Sequence, residues 1–367
     1  MRMAVLNKIV VRNFRNIELG ELSFSPNINC ISGNNGEGKT NLLDAIYYLS
    51  MTKSAFAASD RFNFRFGCQE FAISGSYTME NGLSSLFSVQ VNSQGEKKLR
   101  RDDKLYRKVS EHIGRLPIVM VSPSDTALVS ESGEERRRFI NAVLSQMDRQ
   151  YLSDMQQYNR LLAQRNKVLK ENSPDPELLD VFAARMDSYA EAIHAKRKAF
   201  ISQLDPVVAE YYKLLSGDRE QVSVGYESDL DKGGLKDLLA NCRERDLAMR
   251  FTTSGIQRDD LPFTMNGHPI RRCGSQGQQK SFLVSLKFAQ YELMKKNYGF
   301  APMLLLDDVF DKLDLGRISN LLSMVAGQEF GQIFITDSNK VRLSGIVDRI
   351  TSASAYFDTV GGNFTRL

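Results

Sequence analysis

The sequence predicts an α/β fold, a mixed sheet with flanking helices and antiparallel strands, interrupted by an inserted helical lobe. Three observations carry this. Ile28 to Ser32 is a short apolar run that passes into GNNGEGKT and then into a helical pattern. Met303 to Leu306 is a second such run, ending in Asp307-Asp308, and strand–loop–helix alternation of this kind is the mark of an α/β protein. Between them, Phe139, Val143, Met147, Tyr151, Met155, Tyr158 and Leu162 recur at steps of four or three, the apolar face of a long helix.

Taken in order, residues 1 to 50 read as strands, a loop, then an amphipathic helix through Leu42, Leu43, Ile46 and Leu49. FAISGSY, LFSVQV and KKLRR read as antiparallel strands separated by Asn81-Gly82 and Gln94-Gly95, and PIVMV at 117 to 121 as a buried strand. The long helix is expected from Glu134 to about Lys170, where Ser173-Pro174-Asp175-Pro176 breaks it. Asp175 suits an N-cap with Pro176 at the first helical position of a second helix, which reaches about Tyr212. Residues 221 to 265 look mixed, and from Gln279 the pattern returns to helix, strand, helix, strand. The expected organisation is therefore the first half of a head at 1–125, a helical lobe at 126–220 and the second half of the head at 221–367.

Composition bounds the function. The 367 residues are 42% hydrophobic and 25% charged, enough for a sizeable core and unlike a disordered chain. A net charge of +4 permits nucleic-acid binding without requiring it. Cysteines 30, 68, 242 and 273 have neither zinc-site nor redox-motif spacing, so a reduced, cytoplasmic setting is expected. The N-terminus alternates like a strand and lacks a signal-peptide core, and no run of about 18 apolar residues predicts a membrane span.

Gly33-Asn34-Asn35-Gly36-Glu37-Gly38-Lys39-Thr40 matches the phosphate-binding loop in full. Its glycines let backbone N–H groups close round phosphate oxygens, Lys39 reaches the β- and γ-phosphates, and the Thr40 hydroxyl ligates Mg²⁺. Outside this context, a Gly/Asn-rich turn before a helix would read the same way. In LLLDD, Asp307 is the candidate for the Mg²⁺ shell and Asp308 for orienting the attacking water. An Asp-Asp pair alone is also a common helix cap. Gly274-Ser275-Gln276-Gly277-Gln278 opens a helix and resembles the LSGGQ signature of ABC-type ATPases; a serine and free N–H groups at a helix start favour an anion. The plainer reading is a serine-capped helix after a glycine turn.

RNFRN at 12 to 16, NLLDAI after the phosphate loop, SPSD at 122 to 125, EERRRF at 134 to 139, YNRLLAQRN at 158 to 166, RDD at 258 to 260, GSQGQQKS and LLLDDVFDKLD stand in order along nearly the whole chain. Together they resemble the RecF family of bacterial replication-repair proteins, within the ABC/SMC-type ATPases. The resemblance implies an ABC-ATPase-like head with a helical lobe, bound ATP and Mg²⁺, and slow DNA-stimulated ATP hydrolysis coupled to homodimerisation on DNA. It implies RecR as a partner, with RecO and RecA reached through it. It also implies that Ser275, Gly277 and Gln278 meet the γ-phosphate held by the other subunit, and that Asp311-Lys312-Leu313-Asp314 is a D-loop. Two positions depart from the pattern: Gln257 stands where the family has histidine, and Asp337 where many ABC ATPases carry a switch histidine.

The candidate DNA contacts are basic clusters: Arg136, Arg137 and Arg138; Lys196, Arg197 and Lys198; and Lys97, Lys98, Arg100 and Arg101 on a hairpin. Each taken by itself reads more readily as a solvated or ion-paired face. No helix-turn-helix or zinc module is visible, so sequence-independent binding is expected. The alternatives are an ABC subunit driving a transporter and a short SMC-like clamp. RNFRN and the insert ahead of the signature disfavour the first. The small insert, without sustained heptads, disfavours coiled-coil arms.

Overall fold

Two sheets with helices against them build the part of the molecule that carries the phosphate loop. The computed structural model describes residues 4–131, 133–309, 330–340, 345, 347 and 354–367. They divide into two units: Met1–Asp125 with Leu214–Ser216 and Gln276–Leu367, and Thr126–Lys213 with Gly217–Ser275.

In the first unit, β1 (Val5–Phe14), β2 (Ile17–Ser23), β4 (Glu70–Thr78), β5 (Ser84–Asn92), β6 (Lys97–Arg101) and β7 (Lys104–Leu105) form an antiparallel sheet ordered β2-β1-β4-β5-β6-β7. Burial alternates along β4 and β5, so one face packs inward and the other meets solvent. The second sheet has the order β15-β14-β3-β13-β12-β8, from β3 (Ile28–Ser32), β8 (Ile118–Val121), β12 (Met303–Asp307), β13 (Ile333–Asp337), β14 (Ser354–Val360) and β15 (Asn363–Arg366). Its strands β14, β3, β13, β12 and β8 run parallel. Every residue of β3, β8, β12 and β13 is buried, which explains their unbroken apolar runs. Helix α1 (Lys39–Met51) leaves the end of β3 through the loop, and α9 (Gln276–Tyr298) is buried at every position from Ser281 to Tyr291. Ser32, Asp307, Asp337 and Val121 therefore end four neighbouring parallel strands on one edge, where α/β sheets bind ligands.

The second unit holds α2 (Ala127–Ser130), α3 (Gly133–Met147), α4 (Arg149–Val168), α5 (Pro176–Ser216, its last three residues in the first unit), α6 (Leu235–Asn241), α7 (Arg243–Met249) and α8 (Ile270–Cys273), with the small sheet of β9 (Val222–Val224), β10 (Phe263–Met265) and β11 (His268–Pro269). Two expectations are corrected here. The helix expected from Glu134 to Lys170 is two helices, because the Asp148 carboxylate accepts from the N–H groups of Gln150 and Tyr151 and starts α4 anew. Residues 221–275, expected in the head, belong to the second unit. The apolar period continues across Asp148, which is why the sequence conceals the break. Helix α5 starts at Pro176 behind the Asp175 cap and continues through Pro206 to a left-handed Gly217. The expected D-loop, 311–314, lies outside the described residues.

Candidate nucleotide-binding site

The loop after β3 is held open by contacts that its own residue types require. Gly33 has φ +152°, and a Cβ there would meet the Thr359 carbonyl oxygen at 2.5 Å; Gly38 has φ +115°, with the Asn16 amide 2.9 Å from where a Cβ would stand. Both positions exclude a side chain by space and by backbone conformation. Asn16 Nδ2 donates to the Glu37 carbonyl at 3.1 Å and Asn41 Nδ2 donates to Asn16 Oδ1 at 2.7 Å. The Gly362 N–H reaches the same Glu37 carbonyl at 2.8 Å, and the Gly361 N–H donates to its carboxylate. Arg15 binds Asn41 and Ser54 and pairs with the buried Asp44 of α1 at 2.7 Å. Arg15 and Asn16 thus brace the loop and its helix, a role that the sequence alone did not assign. An open cleft of about 610 Å³ beside it is lined by Arg15, Asn16, Phe64, Arg65 and Phe66.

Within this frame, Lys39 is 4% exposed and its ammonium donates to the carbonyls of Gly33 at 2.7 Å and Asn34 at 2.9 Å. Asn34, Asn35 and Gly36 are exposed at the loop tip. The Thr40 hydroxyl lies 3.0 and 2.9 Å from the two oxygens of Asp307. Thr336 on β13 donates to Asp307 Oδ1 at 2.6 Å and accepts from the Asp308 N–H at 3.1 Å. Burial pushes the Asp307 carboxyl above the usual carboxylate range, with the Asp308 charge adding to it, against the hydrogen bonds of Thr336 and Thr40 and the charge of Lys39. The two hard oxygens of Thr40 and Asp307 fit Mg²⁺: cis ligands about 2.05 Å from an octahedral ion stand about 2.9 Å apart. Among the described residues no group of three His, Cys, Asp or Glu side chains forms a metal cluster, so a cation here would complete its shell with phosphate and water. Asp308 is half-buried with φ +45°, an uncommon backbone for a non-glycine residue.

Thr336 is the site residue that sequence reading missed; its signal was a polar residue near the end of the apolar run QIFIT. Lys280 is another, with its ammonium 3.3 Å from the Asp308 carbonyl. The SPSD segment is positioned by Asp125, which accepts from the Ser122 N–H at 2.7 Å and pairs with Lys287 of α9 at 2.7 Å. Asp337 is fully buried and accepts from the Asn339 N–H at 2.7 Å, closing the turn after β13. Exposed Ser275 ends the second unit, and Gln276, Gly277 and Gln278 begin α9 in the first.

The DNA candidates on the second unit fare differently. Arg136 is 7% exposed and binds both oxygens of Asp260 at 2.7 and 3.0 Å, plus the carbonyls of Leu128 and Glu131. Arg197 is 1% exposed against Asp259, Asn141, Tyr151 and the Ile256 carbonyl. Both are corrected as DNA contacts, because their guanidinium groups are buried and already bound. Arg137 donates to the Asp259 carbonyl, Arg138 pairs with Glu134 and Glu135, Lys196 with Asp148, and Lys198 with Asp231. RDD is thus the acidic counterpart of EERRRF. Gln257 accepts from Tyr158 and donates to the Ser254 carbonyl, a hydrogen-bonding role that needs no titrating group.

A phosphate loop, an acidic strand end beside it and a two-sheet head define a P-loop ATPase head of the ABC/SMC type. The family described as RecF/RecN/SMC N terminal domain matches residues 5–355. Two proteins called DNA replication and repair protein RecF are similar: one from Phocaeicola vulgatus is 42% identical over 98% of each chain, and one from Parabacteroides distasonis 43% identical over 94% of each. A solved structure of the recombination mediator protein RecF with ATP, in the RecFOR pathway, is similar with a TM-score of 0.90 and 27% identity, over 100% of this chain and 98% of that one. A Pyrococcus furiosus Smc head domain shares the fold alone, at a TM-score of 0.60 and 15% identity. The chain belongs to the RecF/RecN/SMC family and, within it, to the RecF proteins. No helix among the described residues is long and apolar enough to cross a membrane.

Proposed function

We propose that this chain is an ATP-dependent DNA-binding protein of DNA replication and repair, in which nucleotide joins two copies and hydrolysis separates them. The observation that carries the reading is the contact of Thr40 with Asp307 beside the Lys39 loop, which sets the two candidate metal ligands within 3.0 Å of each other. Lys39 exchanges its two loop carbonyls for phosphate oxygens, trading neutral acceptors for charged ones. Thr40 and Asp307 would hold Mg²⁺, which would supply neutralisation of phosphate charge. Asp308 orients the attacking water, and the cleft beside Arg15 and Phe66 suits the base. Ser275, Gly277 and Gln278 of a second copy complete the γ-phosphate contacts, so loss of that phosphate releases the pair. RecR is the expected partner, with RecO and RecA beyond it.

Sedimentation of the full chain with a non-hydrolysable ATP analogue and Mg²⁺ tests this. A dimer that forms with analogue and is lost in Ser275→Arg is expected. An unchanged monomer mass at saturating analogue, with and without DNA, overturns the switch.

A further inference from the structure

Segment 97–115 holds eight lysines and arginines against three acids, a net of +5 where the whole chain carries +4. Lys97 pairs with Asp60 and Arg101 with Asp102. The other six, Lys98, Arg100, Lys104, Arg107, Lys108 and Arg115, have no carboxylate within 4.0 Å among the described residues. In the second unit, by contrast, Arg136, Arg138, Lys196, Arg197 and Lys198, five of the six cations of its two basic clusters, each have one.

The strand register places part of this charge on one face. Arg12 stands opposite Ala72, Ala72 opposite Gln90, and Gln90 opposite Lys98. The next row is Val10, Ser74, Ser88 and Arg100. All eight face away from the core, since Val11, Ile73, Val89 and Leu99 alternate with them and are buried. In the first row the outer face thus carries a cation on β1 and another on β6, with Ala72 and Gln90 between them; in the second the cation is on β6 alone, with Ser74 and Ser88 beside it, and β2 beyond β1 sets Leu19 opposite Arg12 and Glu21 opposite Val10. Arg12 and Lys98 are three strand spacings apart, about 14 Å.

We propose that this face is a docking surface for the sugar-phosphate backbone of a DNA duplex, independent of sequence. The proposal rests on the DNA-binding reading above and says where the duplex lies. Charge complementarity selects a polyanion. Serine, glutamine, lysine and arginine are among the side chains that contact phosphates, and the spacing is close to the width of the B-DNA major groove, about 12 Å. Neither row contains an aromatic ring, so the stacking platform that holds single strands is missing from them. An acidic protein would want an apolar centre, whereas the exposed Leu19, Leu86 and Leu105 stand singly on different strands.

The test is fluorescence anisotropy of a labelled duplex with the full chain and a non-hydrolysable ATP analogue, over a series of salt concentrations. For Arg12→Glu/Lys98→Glu/Arg100→Glu, the slope of log affinity against log salt should flatten by about 2.7, at about 0.9 for each phosphate that is no longer neutralised. Affinity should fall more than tenfold while analogue affinity stays at the wild-type value. Glutamine at the same three positions should flatten the slope by about the same 2.7 while lowering affinity by less than glutamate, which separates charge from misfolding. Wild-type duplex affinity and slope in the glutamate variant overturn this surface and leave the DNA reading standing. Failure of the wild-type chain to bind duplex at any salt overturns both, and a slope change seen with single strands alone overturns the duplex.

Discussion

The nucleotide loop of the first unit and the arginine lattice of the second both keep charge away from water, but they do so with different partners. Lys39 rests on two neutral carbonyls of its own loop, and Asp307 on the hydroxyls of Thr40 and Thr336. A triphosphate and a cation can displace such partners at a net gain. Arg136, Arg165 and Arg197 rest instead on Asp260, Asp246 and Asp259. Each buried guanidinium already has its carboxylate, and removing one partner leaves an uncompensated charge in a medium that cannot solvate it. The difference lies in which partner is replaceable, and a count of charged residues does not reveal it.

The largest expected effect tests the closed side of this comparison. Asp259→Ala strands Arg197 and should cost about 3 to 5 kcal/mol of unfolding free energy. Urea denaturation of the full chain measures it, and a cost below about 1 kcal/mol would mean that the lattice is open to solvent or to a ligand. On the open side, Lys39→Ala removes charge-assisted contacts to phosphate and should weaken ATP binding by about 1.5 to 3 kcal/mol, roughly ten- to a hundredfold. Equilibrium titration of a fluorescent ATP analogue checks this; wild-type affinity in Lys39→Ala would place the phosphates elsewhere.

The same contrast explains what was legible in the sequence. The phosphate loop and the strand before it are written locally: glycines at fixed offsets, a lysine, and an apolar run. Their positions follow from a few adjacent residues. Asp307 and Thr40 are 267 residues apart, so only the family pattern brought them together. Thr336 and Asn16 act by supporting others; Thr336 is marked only as the polar end of an apolar run, and Asn16 by no local chemistry. Arg136 and Arg197 were misread because their partners, Asp260 and Asp259, lie 124 and 62 residues on. A basic cluster on a helix looks exposed until its acids are located. The break at Asp148 was hidden by an apolar period that runs through it.

A third prediction concerns a buried group of the first unit that answers to pH. His112 is fully buried; its Nε2 donates to the Leu49 carbonyl at 2.7 Å, and its ring packs against Phe87. Burial pushes its pKa down to about 4, only partly countered by the Leu49 bond. The folded chain therefore binds fewer protons here than the unfolded chain between about pH 6.5 and 4, and stability falls as pH drops through that window. Between pH 7 and 5 the loss should be about 2 kcal/mol. Urea midpoints at the two pH values measure it against His112→Gln, whose loss should be shallower. An identical loss in the variant would assign the acid sensitivity to other groups.

The smallest effect is expected at the exposed pairs of the second unit, and it is the one that most sharpens the contrast between paired and unpaired cations. Arg138 is bound to Glu134 and Glu135 one turn away on α3, Lys196 to Asp148, and Lys198 to Asp231. Such pairs contribute about 0 to 1 kcal/mol each, because solvent screens them and two long side chains must be held still. A phosphate approaching any of these cations would also meet its carboxylate, so little counterion release is available there. Arg138→Gln, Lys196→Gln and Lys198→Gln, alone or together, should therefore shift unfolding by no more than about 1 kcal/mol per site. The salt slope for duplex binding should change by less than about one unit for all three together, against about 2.7 for the three cations of the antiparallel sheet. A slope that falls by about 0.9 for each substitution would show that these lysines and the arginine leave their carboxylates for phosphate. Internal pairing would then not be what separates a structural cation from a DNA-binding one in this molecule.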